Sequence, residues 1–167
     1  MKRKSVAHMQ CPIARSLERV GDWWSILILR DALSGLKRFD QFQESLDIAP
    51  NILTRRLTQL VSAGLLERHL YNAHPPRYEY VLTESGRDFR PVVLSLLAWG
   101  NRHFAPEGLS VVVMDTKTGV PAEPVLVDRS SGKPLSDSRF RMAAGPVAKA
   151  GVRRRYERPE PKEGAAS

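Results

Sequence analysis

Apolar and polar residues repeat with the period of a helix through the first part of the chain. Apolar positions recur at helical spacing in residues 11–21 and, after an extended Arg38-Phe39, in residues 40–48, where Phe42 and Leu46 face inward. Residues 22–35 are apolar around most of the helical circumference, which is typical of a helix at the centre of a small domain. Asp22 and Asp40 are the expected N-caps of the second and third helices.

The next helical stretch, which begins at Ala49 and is expected to end at Gly64, has two chemically different faces. The buried face is predicted to hold Leu53, Leu57, Leu60 and Val61. The opposite face and its flanks contain no acid, and they carry Asn51, Thr54, Arg55, Arg56, Thr58, Gln59 and Ser62. A positively charged face rich in hydrogen-bond donors is suited to a polyanion. The alternative is a solvated amphipathic helix of some other bundle.

A hairpin and a long helix are predicted to follow. Residues 65–72 and 78–83 alternate in the manner of strands, and the prolines of residues 73–77 predict a loop between them. Thr83 is the expected N-cap of a helix that extends to Phe104, with Pro91 kinking its interior. A helical pair followed by a β-hairpin predicts a mainly α fold with a small antiparallel wing, the winged helix-turn-helix.

In that arrangement the second helix of the pair enters the DNA major groove and the hairpin reaches the adjacent backbone or minor groove. Arg55 and Arg56 are then expected to bind phosphates or guanine edges. Asn51 and Gln59 are expected to form paired hydrogen bonds with adenine. The full set of expected DNA-binding residues is Arg38, Asn51, Thr54, Arg55, Arg56, Thr58, Gln59, His74 and Arg77.

Several motifs in combination resemble the HxlR family of bacterial winged-helix transcription regulators, which are MarR-like. They are Cys-Pro at Cys11, Gly-x-Trp at Gly21, Arg-Phe at Arg38, Leu-Thr-x-Arg-Leu at Leu53, and Pro-Pro-Arg-x-Glu-Tyr-x-Leu-Thr-x-x-Gly from Pro75. The resemblance covers residues 11–100. Asp22-Trp23 departs from the frequent Lys-Trp of the family, and Ala49-Pro50 from its frequent serine, which puts a phosphate contact at that corner in doubt.

The resemblance implies a homodimer built on the first and last helices that binds a pseudo-palindromic operator. The expected interface residues are Ile13, Leu17, Phe89, Val92, Val93 and Leu96. Members of this family are most often repressors. The alternative is a winged-helix protein-interaction module without specific DNA binding. RNA binding is a lesser alternative, with Tyr71 and Tyr78 as the only nearby aromatic residues for stacking.

Composition supports a nucleic-acid partner without requiring one. The formal net charge of the 167 residues is +8. The single cysteine excludes an internal disulfide and fits a reducing compartment. No apolar run suggests a signal peptide or a membrane span, so we expect a cytoplasmic protein without a membrane partner.

A regulatory signal has several candidate residues. Cys11 precedes the first helix and matches the cysteine with which some family members sense oxidants or electrophiles; the alternative is an inert packing residue. Trp23, Trp24 and Trp99 are candidates to line the cavity of a small-molecule effector, although aromatic residues at helix ends are more often packing residues. Histidines and the cysteine show no metal-ligand spacing, and no catalytic motif is present, so we expect no metal, cofactor or enzymatic activity.

The last third of the chain repeats one pattern. Asp115, Gly119 and Pro121 recur thirteen residues later as Asp128, Gly132 and Pro134, which predicts tandem strand–turn units. We therefore expect four segments: a flexible N-terminus at 1–10, the DNA-binding and dimerisation domain at 11–105, a β-rich extension at 109–142, and a disordered basic tail at 143–167.

Overall fold

A computed structural model of the chain describes residues 5–157. They form two compact units. The central unit is Arg19–Leu126, and the terminal unit combines the described residues before and after it. The elements in chain order are α1 (Pro12–Val20), α2 (Trp23–Leu33), α3 (Phe39–Leu46), α4 (Pro50–Ser62), β1 (Leu66–Ala73), β2 (Pro76–Leu82), α5 (Glu84–Arg87), α6 (Arg90–His103), β3 (Val113–Met114), β4 (Pro121–Ala122) and α7 (Ala150–Tyr156).

The core of the central unit joins the helices to the base of the hairpin. Its fully buried large side chains come from α2, α3, α4 and β1, and they are Ile28, Leu29, Phe42, Leu53, Leu57, Leu60 and Leu66. Burial of the leucines at positions 53, 57 and 60 confirms the predicted apolar stripe of α4. Because that stripe faces the core, the other side of α4 is exposed to solvent.

The helix-turn-helix consists of α3 and α4, separated by three residues. Asp47 takes a left-handed conformation with φ 46°, which ends α3 and redirects the chain into the next helix. Pro50 occupies the first turn of α4, where a missing backbone N–H costs no hydrogen bond. The N-cap of α3 is Arg38 rather than the predicted Asp40, because the helix starts two residues earlier than the polar pattern indicated.

The wing is an antiparallel pair of strands with a bulge between Leu70 and Asn72. Only His74 and Pro75 separate β1 from β2, so the tip is shorter than the predicted five-residue loop. The outer edge of β2 is also paired, since the amide of Tyr80 donates to the carbonyl of Lys37 at 2.7 Å. The wing is therefore fixed to the segment that precedes α3. Together with the helices, it confirms the predicted mainly α, winged fold.

One predicted long helix is in fact two. Thr83 caps the short α5, and Pro91 lies in the first turn of α6 instead of kinking a continuous helix. A proline has no backbone N–H and clashes with the preceding turn, so it is favoured where a helix begins. Gly86 of α5 packs so closely that a Cβ there would collide with the carbonyl oxygen of Leu65.

The repeated turns follow the predicted chemistry. Asp115 accepts hydrogen bonds from the Lys117 amide and the Thr118 hydroxyl, and these bonds lower the pKa of its carboxyl group. Asp128 accepts from the hydroxyl and amide of Ser131, with the same effect on its pKa. The glycines that close the two turns have φ 70° and 66°. The first turn is flanked by β3 and β4, which span two residues each, and the second by a single bridge between Val127 and Pro134.

The end of the described chain differs from the sequence expectation. We expected residues 143–167 to be disordered, whereas the structure has α7 within that range. Residues 158–167 lie outside the described part, as do residues 1–4 of the expected flexible N-terminus. Within the part that is described, no helix is long and apolar enough to cross a membrane.

Candidate nucleic-acid interface

The exposed face of α4 carries the polar residues that the sequence places there. Asn51, Thr54, Arg55, Thr58 and Gln59 are all exposed. The hydroxyl of Thr54 donates to the carbonyl of Pro50 at 2.8 Å, and that of Thr58 to the carbonyl of Thr54 at 2.9 Å. Because each hydroxyl hydrogen is used within the helix, both threonines present a methyl group and oxygen lone pairs outward.

The two neighbouring arginines of α4 have different surroundings. Arg55 is exposed and has no hydrogen bond or ion pair to any residue that the structure describes. The Arg56 side chain is only 20% exposed, and its Nε lies 3.1 Å from Oδ1 of Asp22. Its Nη1 donates to Oε1 of Gln59 at 2.8 Å. Arg55 is thus available to an external partner, while Arg56 is held against α2.

The wing presents two further predicted residues near its tip. His74 and Arg77 are both exposed, and the backbone amide of His74 donates to the side chain of Asn72 at 3.3 Å. Arg77 borders a shallow cavity of about 490 Å³ together with aromatic side chains of α3 and the wing. The guanidinium makes no ion pair within residues 5–157. It is available to an anion.

Arg38 lies between the helices and the wing. Its Nε is 3.3 Å from Oε1 of Glu79, and its guanidinium lies 4.7 Å from the centroid of the Tyr71 ring. A second arginine, Arg68, lies 4.3 Å over the ring of Tyr78. Each tyrosine considered for base stacking therefore has one ring face already covered by a guanidinium group.

The candidate signal residues do not form one group. Cys11 is half-buried and lines a cavity of about 460 Å³ in the terminal unit. Trp23 and Trp24 pack edge to face at 6.5 Å and line a different, shallow cavity that includes Arg55 and Arg56. Trp99 packs edge to face on Phe104 at 4.8 Å.

The residues expected at a dimer interface differ in exposure. Ile13 and Leu17 of α1 are exposed, as are Val92 and Leu96 of α6. The other two residues, Val93 of α6 and Phe89 just before it, are partly buried. Phe89 packs against the core of the central unit. No residue of α6 is fully buried. The helix therefore presents more apolar surface than the central unit covers.

Sequence reasoning recognised Asp22 only as a helix cap and missed its ion pair with Arg56. The cap is present, since Oδ1 accepts from the Ser25 amide at 3.1 Å. One feature of the sequence could have revealed the pair: Asp22 stands where members of the family often have lysine. An acid there can attract a cation from α4, whereas a lysine would repel Arg56. Within the described chain, no cluster of metal-ligating side chains occurs.

Three helices, a two-stranded wing and an acid-free exposed helix face define a winged helix-turn-helix protein. The family model of the HxlR-like helix-turn-helix proteins matches residues 19–108. The chain belongs to this family of transcriptional regulators, which bind DNA and are not enzymes.

Individual relatives extend the similarity beyond the winged helix. An uncharacterized HTH-type transcriptional regulator of Mycobacterium tuberculosis, Rv3095, is 37% identical over 83% of this chain and 88% of its own length. The solved structure of a candidate transcription factor from Pseudomonas aeruginosa, PA1374, is 54% identical, covers 87% of this chain and 99% of that one, and has a TM-score of 0.64. The redox regulator HypR in its oxidized form is 34% identical over 56% of this chain and 97% of its own, with a TM-score of 0.52.

Proposed function

We propose that the protein is a homodimeric repressor that acts in the cytoplasm on a pseudo-palindromic operator and responds to a small-molecule or redox signal. The observation that carries the proposal is the exposed face of α4, which contains no acid and is held outward by the buried leucines on its other side. Recognition of bases in the major groove requires such a face, because hydrogen-bond donors and acceptors must meet the base edges.

The wing adds a second contact to the proposed interface. Arg77 is exposed next to a tip that contains two prolines, which restrict the conformations that the chain must give up on binding. Its charge is suited to the phosphate backbone or to the minor groove. Arg38, fixed by Glu79 and Tyr71, is a third cation beside α3.

The proposed dimer uses the exposed apolar residues of α1 and α6. A dimer with twofold symmetry presents two copies of α4, and these are expected to enter two half-sites about one helical turn apart, roughly 34–36 Å centre to centre. The exposed side chains of Val92, Leu96 and Trp99 support this use of α6, since solvent-exposed apolar groups gain free energy when a second copy covers them.

The proposed signal site is the cavity that contains Cys11. Its walls are joined by Gln10, whose Nε2 donates to the carbonyl of Val147 at 2.9 Å and whose Oε1 accepts from the amide of Lys149 at 2.8 Å. Apolar side chains dominate the lining, namely Ile13, Met142, Val147, Val152 and the ring of Tyr156. A volume of about 460 Å³ is within the range of small-molecule sites.

An apolar electrophile, such as a quinone, fits both the lining and the thiol. The Cys11 thiolate would add to the ring carbon of the quinone, and the ring would take up the thiol proton on its oxygen. The similarity to HypR, which its name describes as a redox regulator, supports a redox signal for this protein. A disulfide between two subunits is the other form of this signal, and it requires the two Cα atoms to approach within about 7 Å.

The proposal is tested by selecting bound duplexes from a random DNA library with the purified protein. We expect a sequence with two related half-sites, protected from DNase over both. Binding of the selected duplex should be far tighter than binding of a scrambled one. Equal affinity for both would contradict sequence-specific regulation and favour a protein-interaction module.

A further inference from the structure

A chain of three side chains connects the start of α2 to the exposed face of α4. The first member, Asp22, is fixed in place by two contacts with Ser25. Its Oδ1 accepts from the Ser25 amide at 3.1 Å, and its Oδ2 accepts from the Ser25 hydroxyl at 2.6 Å. Because Ser25 is fully buried, the carboxylate has little freedom to turn.

The second member, Arg56, is positioned by that carboxylate. Its Nε lies 3.1 Å from Oδ1 of Asp22, and this contact is a charge pair without the alignment of a hydrogen bond. Both side chains are about one-fifth exposed, at 20% for the arginine and 21% for the aspartate. Partial burial limits screening by solvent and makes the pair more effective in orienting the guanidinium than a pair on an open surface.

The third member, Gln59, receives a hydrogen bond from Arg56. Nη1 of the arginine donates to Oε1 of the glutamine at 2.8 Å, within the ordinary range for a charged donor. Gln59 is exposed on the proposed DNA-binding face of α4. The guanidinium engages one lone pair of the amide oxygen, whereas the NH₂ of Nε2, which only donates, has no hydrogen-bond partner within the described residues.

We propose that Asp22 and Arg56 set the base preference of Gln59 by occupying its amide oxygen. Paired recognition of adenine needs that oxygen to accept from the adenine N6 amino group while Nε2 donates to N7. With the oxygen engaged, Gln59 favours guanine, whose major-groove edge carries two acceptors, O6 and N7. For Gln59 this proposal replaces the expectation of an adenine contact, and it rests on the proposed entry of α4 into the major groove.

The test measures base preference at the operator position that Gln59 contacts. That position is the one at which Gln59→Ala abolishes discrimination among four duplexes differing in a single base pair. For the wild-type protein we expect guanine to be preferred over adenine by at least about fivefold, the lower limit for one good base contact of about 1 kcal/mol. A preference for adenine would overturn the inference.

Two variants remove the constraint without touching the glutamine. Arg56→Met keeps much of the side-chain volume and loses the guanidinium, so the freed amide should shift the preference toward adenine by fivefold or more. Asp22→Asn keeps an N-cap for α2 but loses the charge, and should give a smaller shift in the same direction. Arg55→Met is the matched control: it lowers affinity and leaves the preference at this position unchanged.

The outcomes separate this inference from the proposed function. If the wild-type protein selects an operator but Arg56→Met and Asp22→Asn, both folded by thermal unfolding, retain the wild-type preference, the inference is wrong and the regulator function stands. If no duplex is selected, or if Gln59→Ala changes no position of the operator, the inference is wrong as well. If no duplex is selected, the proposed function fails together with the inference.

Discussion

At the scale of single residues, neighbouring arginines of one helix have different surroundings. Arg55 faces solvent without a partner in the described chain, whereas Arg56 pairs with Asp22 and Gln59. A side chain that already has two partners makes a smaller contribution to an external contact than a free one. We therefore expect Arg55 to contact DNA directly and Arg56 to act as a positioning residue.

Arg55→Ala should weaken operator binding by about 1–3 kcal/mol, with the loss confined to one operator position if the residue contacts a guanine. The free energy of unfolding should change little, because the side chain is exposed and has no hydrogen bond or ion pair within the described residues. Fluorescence anisotropy with labelled operator measures the loss. Arg129→Ala is the matched control, since it removes an equal exposed charge outside the helix-turn-helix. Wild-type operator affinity in Arg55→Ala would contradict the assignment.

Arg77→Ala should lower affinity for all duplexes to a similar extent, because a phosphate contact carries no sequence information. The slope of log affinity against log salt concentration should become less steep by about one unit. Titrations at several salt concentrations, with operator and with scrambled DNA, measure both effects. A loss restricted to the operator, with an unchanged slope, would place Arg77 at a base edge instead.

At the scale of elements, the wing is fixed along the outer edge of β2 and at its base. Thr83 joins its base to the end of α4: the hydroxyl donates to the carbonyl of Gly64 at 2.7 Å and accepts from the amide of Gly86 at 3.0 Å. The backbone amide of Thr83 also donates to the carbonyl of Leu65 at 3.1 Å. Thr83 therefore connects the end of α4, the wing and α5.

Thr83→Ala should reduce the free energy of unfolding by about 1–2 kcal/mol, because it removes a helix N-cap and a hydrogen bond between elements. Thr83→Ser keeps the hydroxyl and should lose less. Urea unfolding followed by circular dichroism measures both variants. If alanine and serine proved equally destabilising, the lost methyl group rather than the hydroxyl would be the cause.

At the scale of the whole molecule, we expect DNA binding to depend on the proposed dimer. Leu96 is 41% exposed on α6 and is expected to lie at the dimer interface. Leu96→Asp would place a charge there, so we expect monomers in sedimentation equilibrium and weak operator binding. Leu70→Asp is the control, because that leucine is also exposed but lies on the wing. A wild-type protein that is monomeric at micromolar concentration would contradict the proposed dimer.

The proposed response to a signal also belongs to the scale of the whole molecule. Cys11→Ser should bind the operator as the wild-type protein does and should lose the release of DNA caused by oxidants or quinones, because serine is a poor nucleophile. Mass spectrometry of the treated wild-type protein should show either one adduct per chain or a disulfide-linked dimer. Full release of DNA from Cys11→Ser would rule out thiol sensing and leave Cys11 as a packing residue.

The sequence by itself determined the class of fold, because its evidence is local. Leucines at helical spacing, an aspartate before a helix and a glycine after one each act within a few residues. The buried stripe of α4 and the repeated aspartate–glycine turns were therefore predicted correctly from residue spacing. The same spacing identified which residues of α4 are exposed.

Only the tertiary structure decided which polar side chains of α4 have partners within the protein and which do not. Arg55 and Arg56 are adjacent in sequence and similar in every local pattern, and they differ because Asp22 of another helix lies beside one of them. Likewise Thr83, Gly64 and Gly86 meet through contacts between elements that no periodicity encodes. Hydrogen bonds and ion pairs depend on distances of a few ångströms, and for residues far apart in sequence those distances are set by how the elements pack.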